Sequence, residues 1–454
     1  MKIINGIPSN SASLTDIIQL LDKDNKLYIL KMYIDKYKNT ETKIGEYYRH
    51  EFKIYEYLKK YLIENNNYQI RNILPIEKNF SMSFLDFYKK LCTDVSLMDS
   101  KLLLINLILN TAYMFELKNV YIKRRDRDSI TDKTALVFRK NIDINVKEKL
   151  NKINPKQLNQ LNNFKISLKS DPIDLHSIVF GGIISPKLEN YNFSDYIKTQ
   201  PEIENIYDYL FIIGLTSYSM ANLGINQNDL HWNNILMDKN FVPKNRNKQY
   251  MIYYNDEIIP IDLEYTPYIY DFDRGAIRGK YIKFLQNTRS GGNCPNFNEK
   301  RDLLKTICKI YHQLYNLNSK DYRKKANELL NCMIKDQSLV IKLINTKISC
   351  WFELDYVYDS YLCEDNQLNK VESWEFFLQY LFMFSSIKKK SVSIKDIKNK
   401  NKNTNELKKF IKENSKNYSS IKEYIKNNLQ HQYLINNSNV IKNREKIIEL
   451  LYNL

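Results

Sequence analysis

The stretch INQNDLHWNNILMD, Ile225–Asp238, concentrates carboxylate, imidazole and amide side chains between two apolar segments. The apolar run MANLGI leads into it, and ILMD closes it. Burying such polar groups costs free energy unless each one is hydrogen-bonded or paired. The stretch is therefore either an Asx-rich turn, which is common in an Asn-rich protein, or the centre of an active site.

The spacing of Asp229 and Asn234 favours the second interpretation. A phosphoryl-transfer enzyme needs a carboxylate that orients the accepting hydroxyl, ligands for Mg²⁺, and a lysine that a buried acid holds against the phosphates. Asp229 and Asn234 form the pattern D-x-x-x-x-N, and a loop of that length can return the amide towards the carboxylate. The apolar run that follows predicts a strand that anchors the loop.

A lysine and a glutamate near the N-terminus match the remaining requirement. Lys31 lies in YILKMYI, which reads as a strand with apolar neighbours. Glu51 lies three residues after Tyr48, on the apolar side of a predicted helix, where an unpaired charge would be expensive. We therefore expect Lys31 and Glu51 to form an ion pair, with Glu46 and Glu56 as the next candidates for the acid.

Two strand-like segments after the loop end in aspartate, and either could supply a second metal ligand. Asp262 is closer in sequence to Asn234, as a plain hairpin would require. However, YMIYY, NDE and IIPI read as an inserted hairpin, and Pro260 suits a sheet edge because it donates no ladder hydrogen bond. Asp271, which follows an uninterrupted YIY and precedes Phe272, is therefore the preferred metal ligand.

The composition of the 454-residue chain favours anionic partners. Its 69 basic and 52 acidic residues leave a net charge of +17. A nucleotide-composition bias explains the lysine content equally well, because Asn, Ile and Tyr are also abundant. The lysine-rich segment 388–417 predicts a solvated or disordered region. A weaker alternative is that this segment contacts nucleic acid or an acidic membrane.

The cysteines and the apolar runs indicate a cytoplasmic protein. The six cysteines form no C-x-x-C pair, which predicts neither a zinc site nor a disulfide framework and fits a reducing compartment. The N-terminus lacks the apolar core of a signal peptide. The most apolar stretch, 101–115, is too short and too interrupted for a transmembrane segment.

The series Lys31, Glu51, NDLHWNNIL and YDFDRG resembles the protein-kinase-like superfamily. It looks most like the divergent serine/threonine kinases of large nucleocytoplasmic DNA viruses, which often carry DLHW-x-NIL and YDFDR. The resemblance covers roughly residues 5–315. It implies a bilobal α+β fold, nucleotide binding with ATP and Mg²⁺ as cofactors, and, for a viral protein, a place in the host cytoplasm or the virion.

The resemblance also implies a role for each matching residue. Lys31 matches the strand lysine that holds the ATP phosphates, and Glu51 matches its helix partner. Asp229 matches the catalytic base, and Asn234 and Asp271 match the two metal ligands.

Further ATP-binding positions follow from the same resemblance. Lys187 and Glu189, in SPKLE, fall where the family's hinge receives adenine on its backbone groups. Ser11 and Ser13 stand where the family has a glycine-rich loop over the phosphates. Asp302 falls where a buried acid on a C-lobe helix steadies the catalytic loop.

The predicted organisation follows from the resemblance and from the apolar pattern. Apolar spacing predicts two strands around a polar turn over 17–34 and a strand over 177–189, together with helices over 46–62, 100–118 and 203–224. An N-lobe is expected over 1–189, enlarged by an insertion over 72–176. A mainly helical C-lobe is expected over 190–454, ending in a helical extension.

Departures from the family pattern keep three functions open. The residues before the base are Gln227 and Asn228, so control through an arginine at that place is not expected. His231 stands where protein kinases have a lysine near the γ-phosphate, and we count it among the catalytic candidates. Asp273 replaces the glycine of D-F-G, and no A-P-E motif is present.

The first function is a kinase that transfers phosphate to serine or threonine of protein substrates. The second is a small-molecule phosphotransferase that resembles aminoglycoside and choline kinases, which His231 and the missing A-P-E support. The third is a pseudokinase scaffold, which the poor glycine loop and DFD support. Retention of all five polar positions favours an enzyme, because a scaffold does not need them.

Overall fold

The computed structural model describes a mixed α+β chain. The described residues are 1–7, 16–64, 72–94, 165–166, 173–188, 191–239, 250–254, 257–261, 263–282, 294, 296–317, 319–345, 368–387 and 392–393. They fall into two compact units, one of Met1–Lys53 with Pro75–Lys187, the other of Ile54–Leu74 with Leu188–Leu454.

The first unit is built on an antiparallel sheet. Its strands are β1 (Lys2–Ile7), β2 (Asp16–Leu21), β3 (Leu27–Tyr37), β4 (Thr40–Glu41), β5 (Lys78–Ser83) and β8 (Ile178–Pro186); a separate short pair is formed by β6 (Lys165–Ile166) and β7 (Ile173–Asp174). The order across the sheet is β1-β2-β3-β8-β5, and β4 pairs with β3. The two strands predicted over 17–34 and the strand predicted over 177–189 are thereby confirmed.

Strand β3 lies between β2 and β8, which places Lys31 in the middle of the sheet. Lys31 pairs with Ile17 on one side and with Ile183 on the other. Successive side chains of a strand point to opposite faces, so Leu30 and Met32 share one face, where both are buried. Lys31 therefore points to the other face.

Helix α1 (Lys43–Glu64) begins in the first unit, and its residues from Ile54 onwards group with the second. Tyr48, Tyr55 and Leu58 are buried along one side of the helix, as their spacing predicts. Glu51 is buried within the same stripe.

Part of the region predicted as an insertion belongs to the sheet. Strand β5 pairs with β8 from Lys78↔Ile184 to Ser83↔Val179. Helix α2 (Phe84–Asp94) follows directly, and Phe87 packs edge-on against the Phe180 ring of β8. The helix predicted over 100–118 lies outside the described residues.

Helices form most of the second unit. They are α3 (Phe193–Lys198), α4 (Ile203–Asn222), α5 (Arg301–Asn316), α6 (Lys320–Met333), α7 (Gln337–Asn345) and α8 (Trp374–Phe384). The predicted apolar helix α4 is buried around most of its circumference and forms the core of this unit. Gly214 lets α8 approach α4 closely, because a Cβ there would lie 3.0 Å from Leu378 Cδ2.

Short strands connect these helices and carry the polar stretch. They are β9 (Ile225–Asn226), β10 (Ile235–Asp238), β11 (Tyr250–Tyr254), β12 (Glu257–Ile261), β13 (Thr266–Ile269), β14 (Ala276–Ile277) and β15 (Val392–Ser393). β10 pairs with β13 and β9 pairs with β14, both antiparallel. The inserted hairpin predicted between the loop and Asp271 is confirmed, because β11 and β12 pair antiparallel.

The structure describes two residues of the lysine-rich segment 388–417, and these form strand β15 (Val392–Ser393); the expectation of a solvated or disordered segment stays a prediction. Strand β15 pairs with β12 through Ile258↔Val392 and Glu257↔Ser393. Residues 388–391 and 394–417 lie outside the described residues.

The cysteines also depart from expectation. Cys294 is disulfide-bonded, with a partner that the structure does not describe, whereas the absence of a cysteine pattern predicted reduced thiols. Cys308 and Cys332 are free. Among the described residues, no helix has both the length and the apolar character to cross a membrane.

Candidate functional site

The expected ion pair between Lys31 and Glu51 is present in the first unit. Lys31 Nζ lies 3.0 Å from Glu51 Oε2 and 3.3 Å from Oε1. The Tyr33 hydroxyl group donates a 2.5 Å hydrogen bond to Oε2, and the Lys31 ammonium group lies 5.3 Å from the centre of the Tyr33 ring. Glu51 therefore has a cation and a hydroxyl donor, which a buried carboxylate requires.

The pair is asymmetric in exposure. Glu51 is 1% exposed, whereas 17% of the Lys31 side chain is exposed. An ammonium group has three donors and strongly favours anionic partners. The glutamate thus fixes the lysine from the buried side, and the lysine keeps access to a ligand.

Of the remaining ATP-binding candidates, Lys187 is the one that the structure describes. Lys187 is half-buried, and its backbone N–H donates to the Leu27 carbonyl at 3.0 Å, which extends the pairing of β3 and β8. Glu189, Ser11 and Ser13 lie outside the described residues. Their expected contacts with adenine and phosphate stay predictions.

In the second unit, Asp302 of helix α5 binds the backbone of the polar stretch, residues 225–238. One of its carboxylate oxygens accepts the Gln227 backbone N–H at 2.7 Å, and the other accepts that of Asn228 at 2.9 Å. Burial raises the pKa of Asp302, and these two N–H groups partly oppose that change. The expected contact of a buried acid with the loop is present.

Asn228 anchors the loop with its amide group. Its Nδ2 donates to the carbonyls of Arg274 at 2.9 Å and Cys294 at 3.1 Å. Its Oδ1 accepts from Arg301 Nη1 at 3.2 Å. These contacts hold Asn228 at a φ of 63°, in the left-handed region that residues other than glycine rarely adopt.

The carboxylate of Asp229 is buried among cations. Lys305 Nζ lies 3.2 Å from Oδ1, Arg274 Nη1 lies 3.3 Å from Oδ2, and His231 Nε2 lies 3.9 Å from Oδ2. Burial alone would raise the pKa of Asp229. The charges of Lys305 and Arg274, with a smaller contribution from His231, outweigh burial and lower that pKa to about 2. Asp229 is therefore ionised at neutral pH.

His231 lies beside Asp229 at the start of a short 3₁₀ turn, Trp232–Asn234. Burial lowers the pKa of His231 below its ordinary value of 6.5, and the Asp229 carboxylate only partly opposes this. The neutral imidazole is consequently favoured at pH 7. Trp232 Nε1 donates to the Lys309 carbonyl at 3.2 Å and ties the turn to α5.

Strand pairing brings Asn234 and Asp271 to neighbouring places. Ile235 of β10 pairs with Ile269 of β13. One residue further along, the Tyr270 N–H donates to the Asn234 carbonyl at 3.2 Å. Asn234 Nδ2 donates to the Asp229 carbonyl at 3.0 Å, so the amide oxygen is the atom left to act as a ligand.

Gln227 joins the loop to the turn that contains Asp271. Its Nε2 donates to the carbonyls of Asp271 at 2.6 Å and Tyr270 at 3.0 Å, and its Oε1 accepts the Asp229 backbone N–H at 2.7 Å. Asp271 itself has a φ of 67°. Phe272 is fully buried, with its ring edge-on to that of Tyr55. No sequence pattern predicts this bridging role of Gln227.

The pairing of β10 with β13 favours Asp271 over Asp262 as the acid near Asn234. Asp271 follows β13 directly, whereas Asp262 follows β12, which pairs with β11 and β15 instead. Asp262 itself lies outside the described residues.

The described residues contain no group of three or more His, Cys, Asp or Glu side chains that could hold a metal ion. Mg²⁺ does not require such a group, because it commonly uses one or two protein oxygens together with phosphates and water. The oxygens of Asn234 and Asp271 fit that donor set.

The most informative residues that sequence reasoning missed are the cations around Asp229. Lys305 lies one helical turn after Asp302, so both side chains lie on the same side of α5. That spacing is a signal, but in a chain with 69 Lys and Arg residues a single lysine attracts no attention. Arg274, three residues after Asp271, carries no spacing signal of its own.

Comparisons with known proteins do not assign this chain to a family. No protein-family model matches it, and no curated protein matches it.

Proposed function

We propose that this chain is an ATP- and Mg²⁺-dependent phosphotransferase with a bilobal protein-kinase-like fold, acting on serine or threonine of protein substrates. The observation that carries the proposal is the loop 227–234. It holds a buried, ionised aspartate beside Asn234, on strands that also bring Asp271 close. The Lys31–Glu51 pair supports it independently, since it supplies a fixed cation for phosphates.

Asn234 and Asp271 would hold the metal ion, and Lys31 would contact the phosphates. Bound Mg²⁺ would neutralise charge on the phosphate oxygens and orient the transferred group. Glu51 keeps Lys31 in one orientation. Gln227 fixes the backbone of Asp271, and Asp302 fixes the backbone of the loop.

Asp229 would orient the acceptor hydroxyl and receive its proton. The new bond joins the acceptor oxygen to the γ-phosphorus, while the bond from that phosphorus to the bridging oxygen of ADP breaks. Because the pKa of Asp229 is low, it is a weak base, so its main contribution is to position the hydroxyl. Positioning and charge neutralisation then supply most of the rate enhancement.

A small-molecule acceptor is the second candidate function. The specific observation in its favour is His231, which lies 3.9 Å from Asp229 in place of the lysine of protein kinases. A neutral imidazole at that place leaves less positive charge for the γ-phosphate and gives the site a hydrogen-bonding group for a small acceptor.

The test is phosphate transfer by the purified chain with Mg²⁺ and radiolabelled ATP. One arm offers a mixture of proteins, and the other offers a panel of aminoglycosides, choline and related alcohols. Asp229→Asn should lower turnover by about 10²–10⁴-fold and leave ATP binding nearly unchanged. Transfer only to small alcohols would establish the second function. ATP binding without turnover, unaffected by Asp229→Asn, would indicate a pseudokinase and overturn both.

A further inference from the structure

Lys305 contacts the catalytic loop at two points from the buried side. Its Nζ donates to the Asn228 carbonyl at 2.9 Å and lies 3.2 Å from Asp229 Oδ1. Only 2% of its side chain is exposed. Burying an ammonium group is unfavourable unless charge and hydrogen bonds compensate, and the Asn228 carbonyl and the Asp229 carboxylate supply both.

The two oxygens of Asp229 have different partners. Oδ1 contacts Lys305, which extends from a regular helix that Asp302 already joins to the loop. Oδ2 contacts Arg274, whose side chain is 34% exposed and lies outside regular secondary structure. The position of the Lys305 side chain is therefore more restricted than that of Arg274. Moving Arg274 away from Oδ2 costs less free energy than moving Lys305 away from Oδ1.

We propose that Lys305 is a positioning residue for phosphoryl transfer, which fixes Oδ1 of Asp229 and leaves Oδ2 to receive the acceptor hydroxyl. This inference rests on the proposed function. The acceptor proton passes to Oδ2 as the O–P bond forms and the bond to ADP breaks.

A purely structural role for Lys305 makes different predictions. If the residue only ties the loop to α5, its loss should lower stability and affect the enzyme with or without the Asp229 carboxylate. If it acts through Asp229, its loss should lower kcat selectively, and the effect should vanish once Asp229 is replaced.

The experiment compares Lys305→Met, Lys305→Arg and Lys300→Met in the full chain, with and without Asp229→Asn. Lys300 is the matched control, because it lies directly before α5 and its Nζ donates to a backbone carbonyl, that of Val371, at 2.8 Å. Steady-state kinetics give kcat and the KM for ATP, using whichever acceptor the wild-type chain phosphorylates.

Lys305→Met should lower kcat by about 10–100-fold, the usual effect of removing a group that orients a reacting residue. The KM for ATP should change little, and Lys305→Arg should recover part of the lost turnover. In the Asp229→Asn background, Lys305→Met should cause almost no further loss. Lys300→Met should turn over like the wild type.

Wild-type turnover by Lys305→Met, or an equal loss in both backgrounds, overturns the role of Lys305. A wild-type chain that transfers no phosphate overturns the proposed function itself, so the two failures are distinguishable. If Lys305→Met fails to fold, the melting temperature of Lys305→Gln is measured instead, with and without Asp229→Asn. Adding Asp229→Asn should restore part of its stability by removing a buried carboxylate whose Oδ1 has lost its cation, and no restoration would overturn the proposal.

Discussion

The Tyr33 hydroxyl group donates to the same Glu51 oxygen that binds the Lys31 ammonium group. Glu51 thus sits between a neutral donor and a cation, both on β3. Because Lys31 and Tyr33 are two residues apart on one strand, they share a face of the sheet, and a single carboxylate on α1 reaches both.

We predict that Lys31 and Glu51 are energetically coupled. Lys31→Met and Glu51→Gln should each weaken ATP binding or turnover, and the double variant should lose less than the sum, by about 0.5–3 kcal/mol. A double-mutant cycle of ATP dissociation constants, with catalytic turnover as a second readout, measures this coupling. Tyr33→Phe is the control that removes a Glu51 donor without changing the charge. Strictly additive losses would contradict the pairing.

We predict that Asp302→Asn lowers both stability and turnover. Each of the two N–H groups, of Gln227 and Asn228, is accepted by a different oxygen of Asp302, and in the amide an NH₂ donor replaces one of these oxygens and faces an N–H group. A buried backbone donor left unpaired costs about 1–3 kcal/mol. Chemical denaturation and kcat should both report the loss. Asp321→Asn, an exposed change in the first turn of α6, is the control and should alter neither quantity.

We predict that Asp271 and Asp262 differ in their effect on Mg²⁺ dependence. Asp271→Asn should raise the Mg²⁺ concentration needed for half-maximal turnover and nearly abolish the rate, because an amide is a weaker ligand for this hard cation. Asp262→Asn should change little. A titration of turnover against Mg²⁺ for both variants checks this, and the reverse pattern would move the metal ligand to Asp262.

The low pKa of Asp229 predicts a defined pH dependence of stability. Folding lowers this pKa from 3.8 to about 2, so the ionised carboxylate favours the folded state. The contribution, about 2 kcal/mol, is complete above roughly pH 4 to 5 and is lost as the pH falls towards 2. Urea unfolding of the wild type and Asp229→Asn should therefore converge below pH 4. A difference that stays constant down to pH 3 would contradict the prediction.

The sequence predicts local patterns well where one face of an element is buried. The position of Glu51 followed from helical spacing against Tyr48, and its need for a cation indicated Lys31. The β11–β12 hairpin followed from two apolar runs around NDE. In each case, short-range periodicity carries the information.

Long-range contacts were harder to predict. Lys305 and Asp229 are 76 residues apart, and the only sequence signal for their contact is that Lys305 lies one helical turn after Asp302. The membership of β5 in the sheet was missed for a similar reason, because KNFSMS lacks a run of β-branched residues and its strand depends on pairing with β8. Both features arise from tertiary contacts, which override local propensity.

Asn228 and Asp271 both adopt positive φ angles, and this has a consequence for how the site tolerates mutation. Glycine would relieve the backbone cost, which is of order 1–3 kcal/mol per residue, but would delete the anchoring amide or the candidate metal ligand. In a deep mutational scan that selects for activity, both positions should therefore reject glycine. In a scan that selects only for folded protein, Asp271 should tolerate glycine. Gly224, whose φ of 80° serves a turn, should keep glycine under both selections.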